Sequence, residues 1–428
     1  MNANFRRRVA VIGAGPSGLA AARHFGAPDS PFECQVFEQS SEIGGTWVFT
    51  PHVSVDEIGR PIHSSMYTNL RTNLPKEVMS YPDFLFPEQE KSYLTSEQVL
   101  EYLHSYANHF GLRQHIKFNN WVKEVRPVGE NVEEEKWQLT IFDWISKETR
   151  TEIFDALMIC NGHFFHPNIP ECQGRDIFEG RIIHSREYRM PAPYTNKRVL
   201  IVGGSFSAID ITMELAKVSK QVTLSHHLKE MATNFPENVK MAPDVDFFDK
   251  TGVTFVNGQR DEFDDVIYCT GYKPSYPFLH ESCRVTTDGY GVEPLHKHLI
   301  NIEHPSMCFL AINNYISPLQ LADLQARFFY QLLIGAFELP AKEEMYRQLR
   351  KDQKFRQEEL GFKTRFAHKL GVLQKEYYDE LADTAGVKRI PPVVSKLHFE
   401  AARSKFKELY TFRDKRYKLI DEETFVEL

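Results

Sequence analysis

The stretch RRVAVIGAGPSGLAAARHF, residues 7–25, constrains the fold of this chain more than any other. Val9 to Ile12 read as a buried strand, Gly13, Gly15 and Gly18 follow in the spacing G-x-G-x-x-G, and an alanine-rich helix comes next. In such a turn the first glycine permits the tight bend and the second lets the backbone approach a pyrophosphate. The third lets the helix pack close to the strand. Pro16 and Ser17 open the helix, whose N-terminus offers unpaired N–H groups to an anion. The next strand, CQVFE, ends in Glu38, about 20 residues after Gly18, where a ribose-binding acid belongs. A carboxylate there accepts from a ribose diol and repels a 2′-phosphate, so this site takes FAD or NAD(H) and not NADP(H). Gln39 continues it, and EIGGTW brings a second glycine pair with Gly45, Thr46 and Trp47, as a flavin needs where the chain passes its second phosphate.

Residues 197–215 repeat the pattern of residues 7–25: basic residues, apolar strand, glycine turn, small-residue helix start. Here the turn reads Gly203, Gly204, Ser205, Phe206, Ser207, Ala208, with serine in place of the middle glycine. The Cβ of Ser205 pushes the turn away from a pyrophosphate, but its hydroxyl donates to a phosphate oxygen. The site is altered, not lost. The following strand ends in Ser225, His226, His227 and Lys229, with no carboxylate at the position of Glu38. That set suits a 2′-phosphate, although arginine would be the stronger choice; NADPH is expected, with tolerance of NADH. A second echo pairs DALMICNGH (155–163) with DDVIYCTGY (264–272). The expected fold is therefore α/β with two nested dinucleotide-binding (Rossmann-like) domains. A large FAD domain runs over residues 1–178 and resumes over 305–428 with C-terminal helices, and a smaller NADPH domain occupies 179–304.

Composition narrows the class. A net charge of −7 and a pI near 6.2 argue against nucleic-acid binding. No run reaches the roughly 18 apolar residues of a membrane span, and FFYQLLIGAFEL (328–339) reads as a core helix. Six scattered cysteines without a CxxC pair fit neither a disulfide framework nor a metal site. They also lack the redox pair that a disulfide reductase of the same plan would need. No signal peptide is visible, so a cytoplasmic location is expected, or secretion if a leader has been removed.

Between the two turns lies FEGRIIHSREY, with Phe178, Gly180, His184 and Tyr188 in the pattern F-x-G-x-x-x-H-x-x-x-[YFW]. This closely resembles the identifying motif of flavin-dependent class B monooxygenases. The ending Tyr188-Arg189 is similar to the flavin-containing N-/S-monooxygenase branch and opposes the Baeyer–Villiger alternative. SMYTNLRTNLPKEVMSYPDFLF (65–86), CTGY and LADLQARFF also resemble family segments. Size and the missing anchor make the chain similar to the short soluble members, including insect-type pyrrolizidine alkaloid (senecionine) N-oxygenases.

The resemblance implies that NADPH reduces FAD and that a C4a-hydroperoxyflavin then transfers oxygen to a soft nucleophile, a tertiary amine or a sulfide. It makes Asn73 the residue beside the oxygen adduct, a catalytic position, and places Val125 and Gln325 at FAD. His63 could contact the FAD phosphates, although a histidine among 17 is ordinarily a solvated or core residue. His184 and Tyr188 would shape the link into the NADPH domain. The expected partners are the small-molecule substrate and molecular oxygen, with no nucleic acid and no membrane, in a homo-oligomer. A flavoprotein oxidase or redox sensor is the alternative from another class, told apart by the absence of oxygenated product.

Overall fold

The computed structural model describes residues 6–428 apart from 89, 130–133, 229–233 and 288–290. Two sheets organise it. The larger has seven strands, in the order Leu295–His296, Ile300–Asn301, Met307–Phe309, Ala156–Ile159, Arg7–Ile12, Phe32–Phe37, Ile116–Lys117. Its four strands from Met307–Phe309 to Phe32–Phe37 pair in parallel. Val9, Ala10 and Val11 are fully buried because layers cover both faces, which is why the strand reads as an unbroken apolar run. On one face the helix Pro16–Phe25 packs against Pro318–Leu333. Ala20, Ala21 and Ala22, all wholly buried, leave room for that approach. The other face is covered by an antiparallel sheet of Asn120–Val128, Lys136–Asp143 and Thr149–Phe154.

The smaller sheet is parallel throughout: Val239–Ala242, Gln221–Ser225, Arg198–Val202, Asp265–Tyr268, Arg181–His184. It draws only on residues inside one insertion, so one unit is nested in the other. The two crossings between the units lie side by side, His166–Pro167 pairing antiparallel with Tyr272–Lys273.

Two expectations need correction. The chain returns to the large unit well before residue 305. Tyr276 and Phe278 already sit in its core cluster, and Leu295–His296 and Ile300–Asn301 extend its sheet. These short strands carry no periodicity of their own to announce the return. The core helix over 328–339 spans Pro318–Leu333 instead, stopping before Gly335, whose φ of +75° breaks helical geometry. All six cysteines are unpaired, and five are buried. Among the described residues, no helix is long and apolar enough to cross a membrane.

Burial lowers the pKa of His63, His163, His184, His296 and His398 from 6.5 to about 4. Between those values the unfolded chain binds more protons than the folded one, so stability is lost as pH falls from 6.5 to 4. We expect the melting temperature to drop across that window, and His398→Leu, which removes a histidine shifted by burial alone, to flatten part of the slope. An unchanged slope in that variant would place His398 in contact with solvent.

Candidate active site

The two glycine turns share one geometry. Gly13 N–H donates to Phe37 O at 2.8 Å and Gly203 N–H to Ser225 O at 2.9 Å. Both glycines hold φ far into the positive range, +103° and +130°. A Cβ on Gly13 would lie 2.6 Å from Cys160 O, and one on Gly203 2.4 Å from Cys269 O. Each turn is thus tucked under the end of the neighbouring strand, and no side chain fits there. Gly15 and Ser205 begin the two helices with nearly the same backbone, φ/ψ −74°/−173° and −95°/−169°. Negative φ admits any residue, so Ser205 distorts nothing; a glycine at this position serves only close approach.

The first turn fits a dinucleotide. The space beyond Gly15 is open, its nearest neighbour being the Gly45 backbone at 3.5 Å from a built Cβ. Gly45 itself has φ +56° and admits nothing toward Gly15. The two glycines therefore face each other as bare backbone, as the sequence requires of a pyrophosphate cradle. The helix at Pro16 starts without a side-chain cap, and Ser17 is only half-buried. Glu38 is buried and accepts from Ala14 N–H at 2.7 Å and Ser40 N–H at 2.8 Å. The carboxylate thus fixes the turn from the end of the next strand. Thr46 Oγ1 lies 3.3 Å from Ser65 Oγ, and Trp47 packs on the core. His63 stacks on Phe165 at 4.6 Å beside the turn that follows Cys160, with Arg186 over the same Phe165 ring.

Asn73 sits in a bend between Thr72, whose N–H donates to Leu94 O, and the short helix Lys76–Val78. Its half-buried amide makes no hydrogen bond to the described residues, which leaves it for a ligand.

In the second turn Ser205 and Ser207 are exposed, Phe206 is half-buried 6.4 Å from Tyr315, and Ala208 is wholly buried against the strand. Ser225 points into the sheet, its hydroxyl donating to Pro243 O at 2.7 Å. His226 is partly exposed; His227 is exposed and pairs with Asp244 at 3.2 Å. Lys229 lies outside the described residues. An arginine from elsewhere in the chain lies beside this strand end: Arg365 donates toward His227 Nε2 at 3.3 Å, across 138 residues of sequence. No local pattern marks it.

The motif between the turns is a joint. A Cβ on Gly180 would lie 2.5 Å from the Phe178 ring and 2.6 Å from Asp264 O. His184 Nδ1 accepts from Arg186 N–H at 3.1 Å, so in the neutral ring Nε2 carries the proton and donates to Gly271 O at 3.0 Å. Tyr188 donates to Glu214 at 2.8 Å, on the helix Phe206–Leu215. Arg189 is buried, and all five of its N–H donors end on carbonyls, those of Thr50, Arg186, Tyr188, His52 and Ser64.

Val125 and Gln325 are committed to the protein. Val125 is wholly buried, with its N–H on Phe278 O and its carbonyl accepting from His280 N–H. The residues that approach Glu38 lie earlier on that strand, where Asn120 N–H donates to Glu38 O. Arg60, not picked out from the sequence, joins them by bonding Gln39 O and Asn119. Gln325 is wholly buried and bonds Ala311 N–H, Asn313 and Tyr377, so it braces the 311–313 segment rather than offering a free amide.

The family model described as FMO-like, flavin-binding monooxygenase-like, matches residues 6–231 and 231–404. The senecionine N-oxygenase of Tyria jacobaeae is 33% identical, over 98% of this chain and 91% of its own length. The flavin-containing monooxygenase FMO GS-OX-like 4 of Arabidopsis thaliana is 32% identical over 95% and 93%. Among solved structures, S-allyl-L-cysteine S-oxygenase from Allium sativum superposes with a TM-score of 0.87 at 31% identity, covering 95% of each chain.

Two glycines three residues apart should fail differently. A Cβ at Gly18 would lie 1.8 Å from Gly13 O, so Gly18→Ala is expected to unfold the turn and lower the melting temperature of the whole protein. Gly15→Ala has room and a permissive φ, so it should melt as the parent does when stripped of ligand while purifying with little bound flavin. Equal flavin content in Gly15→Ala and parent would mean that the backbone there is not the cradle.

Proposed function

The chain belongs to the FMO-like family of flavin-binding monooxygenases, with FAD and NADPH as its cofactors, and from that premise we propose that it N- or S-oxygenates a soft nucleophile: a tertiary amine such as an alkaloid, or a sulfide. The observation that carries the reading is the free Asn73 amide, held half-buried on a segment that bonds to the nicotinamide-side helix. Support comes also from relatives named for each chemistry, an N-oxygenase and an S-oxygenase, both alike over at least 95% of this chain.

When bound, FAD reduced by NADPH supplies the chemistry, passing one atom of dioxygen to the substrate lone pair while the other leaves as water. The protein binds, orients and shields. Gly13, Gly15, Gly18, Gly45 and Glu38 hold the flavin nucleotide through backbone and carboxylate. Ser205, Ser207 and the helix start hold the nicotinamide nucleotide, where an N-terminal dipole favours an anion. Asn73 donates from its amide to the oxygen side of the site. A lone pair on nitrogen or sulfur attacks without losing a proton, so no general base is asked of the chain. Six unpaired cysteines suit a reducing compartment, the cytoplasm.

The test is turnover of tertiary amines and sulfides by the FAD-loaded protein with NADPH in air, scored as N-oxide or sulfoxide formed per NADPH consumed. Asn73→Ala should keep its FAD and release hydrogen peroxide in place of product. Peroxide alone from the parent with every amine and sulfide would favour the oxidase or sensor reading.

Arg365 supplies a second expectation. We expect it to pair with the 2′-phosphate, so Arg365→Ala should raise the Kd of NADP⁺ by about 10-fold or more, the scale of one lost charge-assisted bond, and leave that of NAD⁺ unchanged. Calorimetry with the two nucleotides decides; equal changes in both would remove Arg365 from the phosphate.

A further inference from the structure

We propose that Arg413, near the C-terminal end of the chain, is a positioning residue for the oxygenation site: its guanidinium locks the nicotinamide-side helix to the backbone that leads into Asn73.

One side of the fork grips Asp210 on the helix Phe206–Leu215, Nη2 to Oδ2 at 2.7 Å and Nη1 to Oδ1 at 3.2 Å. The other side donates to Thr72 O at 3.0 Å through Nε and to Arg71 O at 3.2 Å through Nη2. Thr72 is the residue before Asn73; Asp210 lies one turn after Phe206 in the second cofactor turn. A single planar group therefore spans the two units, one residue from Asn73 on one side and one turn beyond the second glycine turn on the other.

The surroundings reinforce the link. Asp210 also accepts from Tyr67 OH at 3.3 Å, and Arg71 donates to Arg413 O at 3.3 Å, so the grip is reciprocal. Lys405 lies 3.8 Å from Asp210, without a hydrogen bond, its ammonium 3.8 Å from the centre of the Phe206 ring. The Asp210 side chain is 13% exposed and that of Arg413 19%, which shields the pair from solvent. Attachment of a C-terminal segment to its own unit would need only the bonds to Arg71 and Thr72. The bidentate grip on Asp210 reaches into the other unit and fixes an angle between them, which a point charge on a flexible stem does not do.

The inference rests on the monooxygenase reading, and its test has one arm that does not. In the full FAD-loaded chain we expect Arg413→Lys to fold and to keep its flavin, because the Gly13–Glu38 cradle does not touch residue 413. One ammonium cannot span Asp210 and Thr72 together, so peroxide released per NADPH in the presence of substrate should rise about 10-fold, within the range that a small misplacement of reacting groups costs. NADP⁺ affinity, measured by calorimetry on the oxidised protein, should fall with it. Asp210→Asn should reproduce both effects, and Arg413→Lys combined with Asp210→Asn should be no worse than either alone. Unchanged coupling and unchanged NADP⁺ affinity in Arg413→Lys would overturn the proposal, as would a lowered melting temperature with both of those intact. Additive effects in the double variant would overturn it as well. If the parent forms no oxygenated product, the functional reading fails by itself, and NADP⁺ affinity across the three variants still decides the link.

Discussion

Both glycine turns depend on one close approach: each is pressed beneath the carbonyl that follows the end of the adjacent parallel strand. At Gly13 that carbonyl belongs to Cys160, at Gly203 to Cys269, and in neither place is there space for a methyl group. Parallel register sets the distance. Cys160 N–H bonds Ile12 O, Cys269 N–H bonds Val202 O, and each strand therefore ends level with the turn it covers. With the turn held under that lip, the helix behind it must start outside the sheet, its first N–H groups facing the crevice at the strands' carboxyl ends. Glu38 then reaches the turn from the next strand, and Gly45 meets Gly15 from the loop beyond. Every later feature of the first site is positioned by that contact.

What was legible in the sequence follows from whether a residue works locally. Gly13, Gly15, Gly18 and Glu38 build one strand–turn–helix–strand unit, so spacing alone marked the turn that they form. Ser205 looked like a defect because the usual residue there is glycine. The structure shows why the fold tolerates it: this position stays out of the left-handed region and so admits any residue. The pattern FEGRIIHSREY was legible from its fixed spacing, although only part of its bonding is local: His184 and Arg186 bond each other, whereas Gly271, Ile62 and Glu214 are distant partners.

Other residues could not be read in that way, and the reasons are physical. Arg365 and Arg413 reach their partners across 138 and 203 residues, and a long-range bond leaves no periodicity. The early return of the chain to the large unit rests on Tyr276 and Phe278 filling its core and on strands of two residues, too short to show alternation. Val125 and Gln325 sit in segments that the family resemblance marks, but packing engages the Val125 backbone and the Gln325 amide with other protein groups. A motif gives the segment; only packing decides which way each side chain faces.

The same distinction bears on how the two units are held together. Each has its own apolar clusters, and among the described residues the first unit adds few apolar contacts to the helix Phe206–Leu215: Tyr67 and Leu70 join the cluster around it, and Leu409 packs on Ile209. Apolar contact is non-directional and tolerates sliding, so it would leave the distance between flavin and nicotinamide poorly fixed. Directional bonds supply the missing constraint. Arg189 ties the loop at 50–52 and Ser64 to the joint with every donor it has, and Arg413 ties the approach to Asn73 to Asp210. In both cases the residue is arginine, the side chain whose rigid fork transmits orientation as well as charge. Two forks, one on the joint and one at the approach to Asn73, restrict rotation where either alone would act as a pivot. A catalyst whose reacting groups belong to two separately folded units needs that restriction, and the chain provides it with two arginines 224 positions apart.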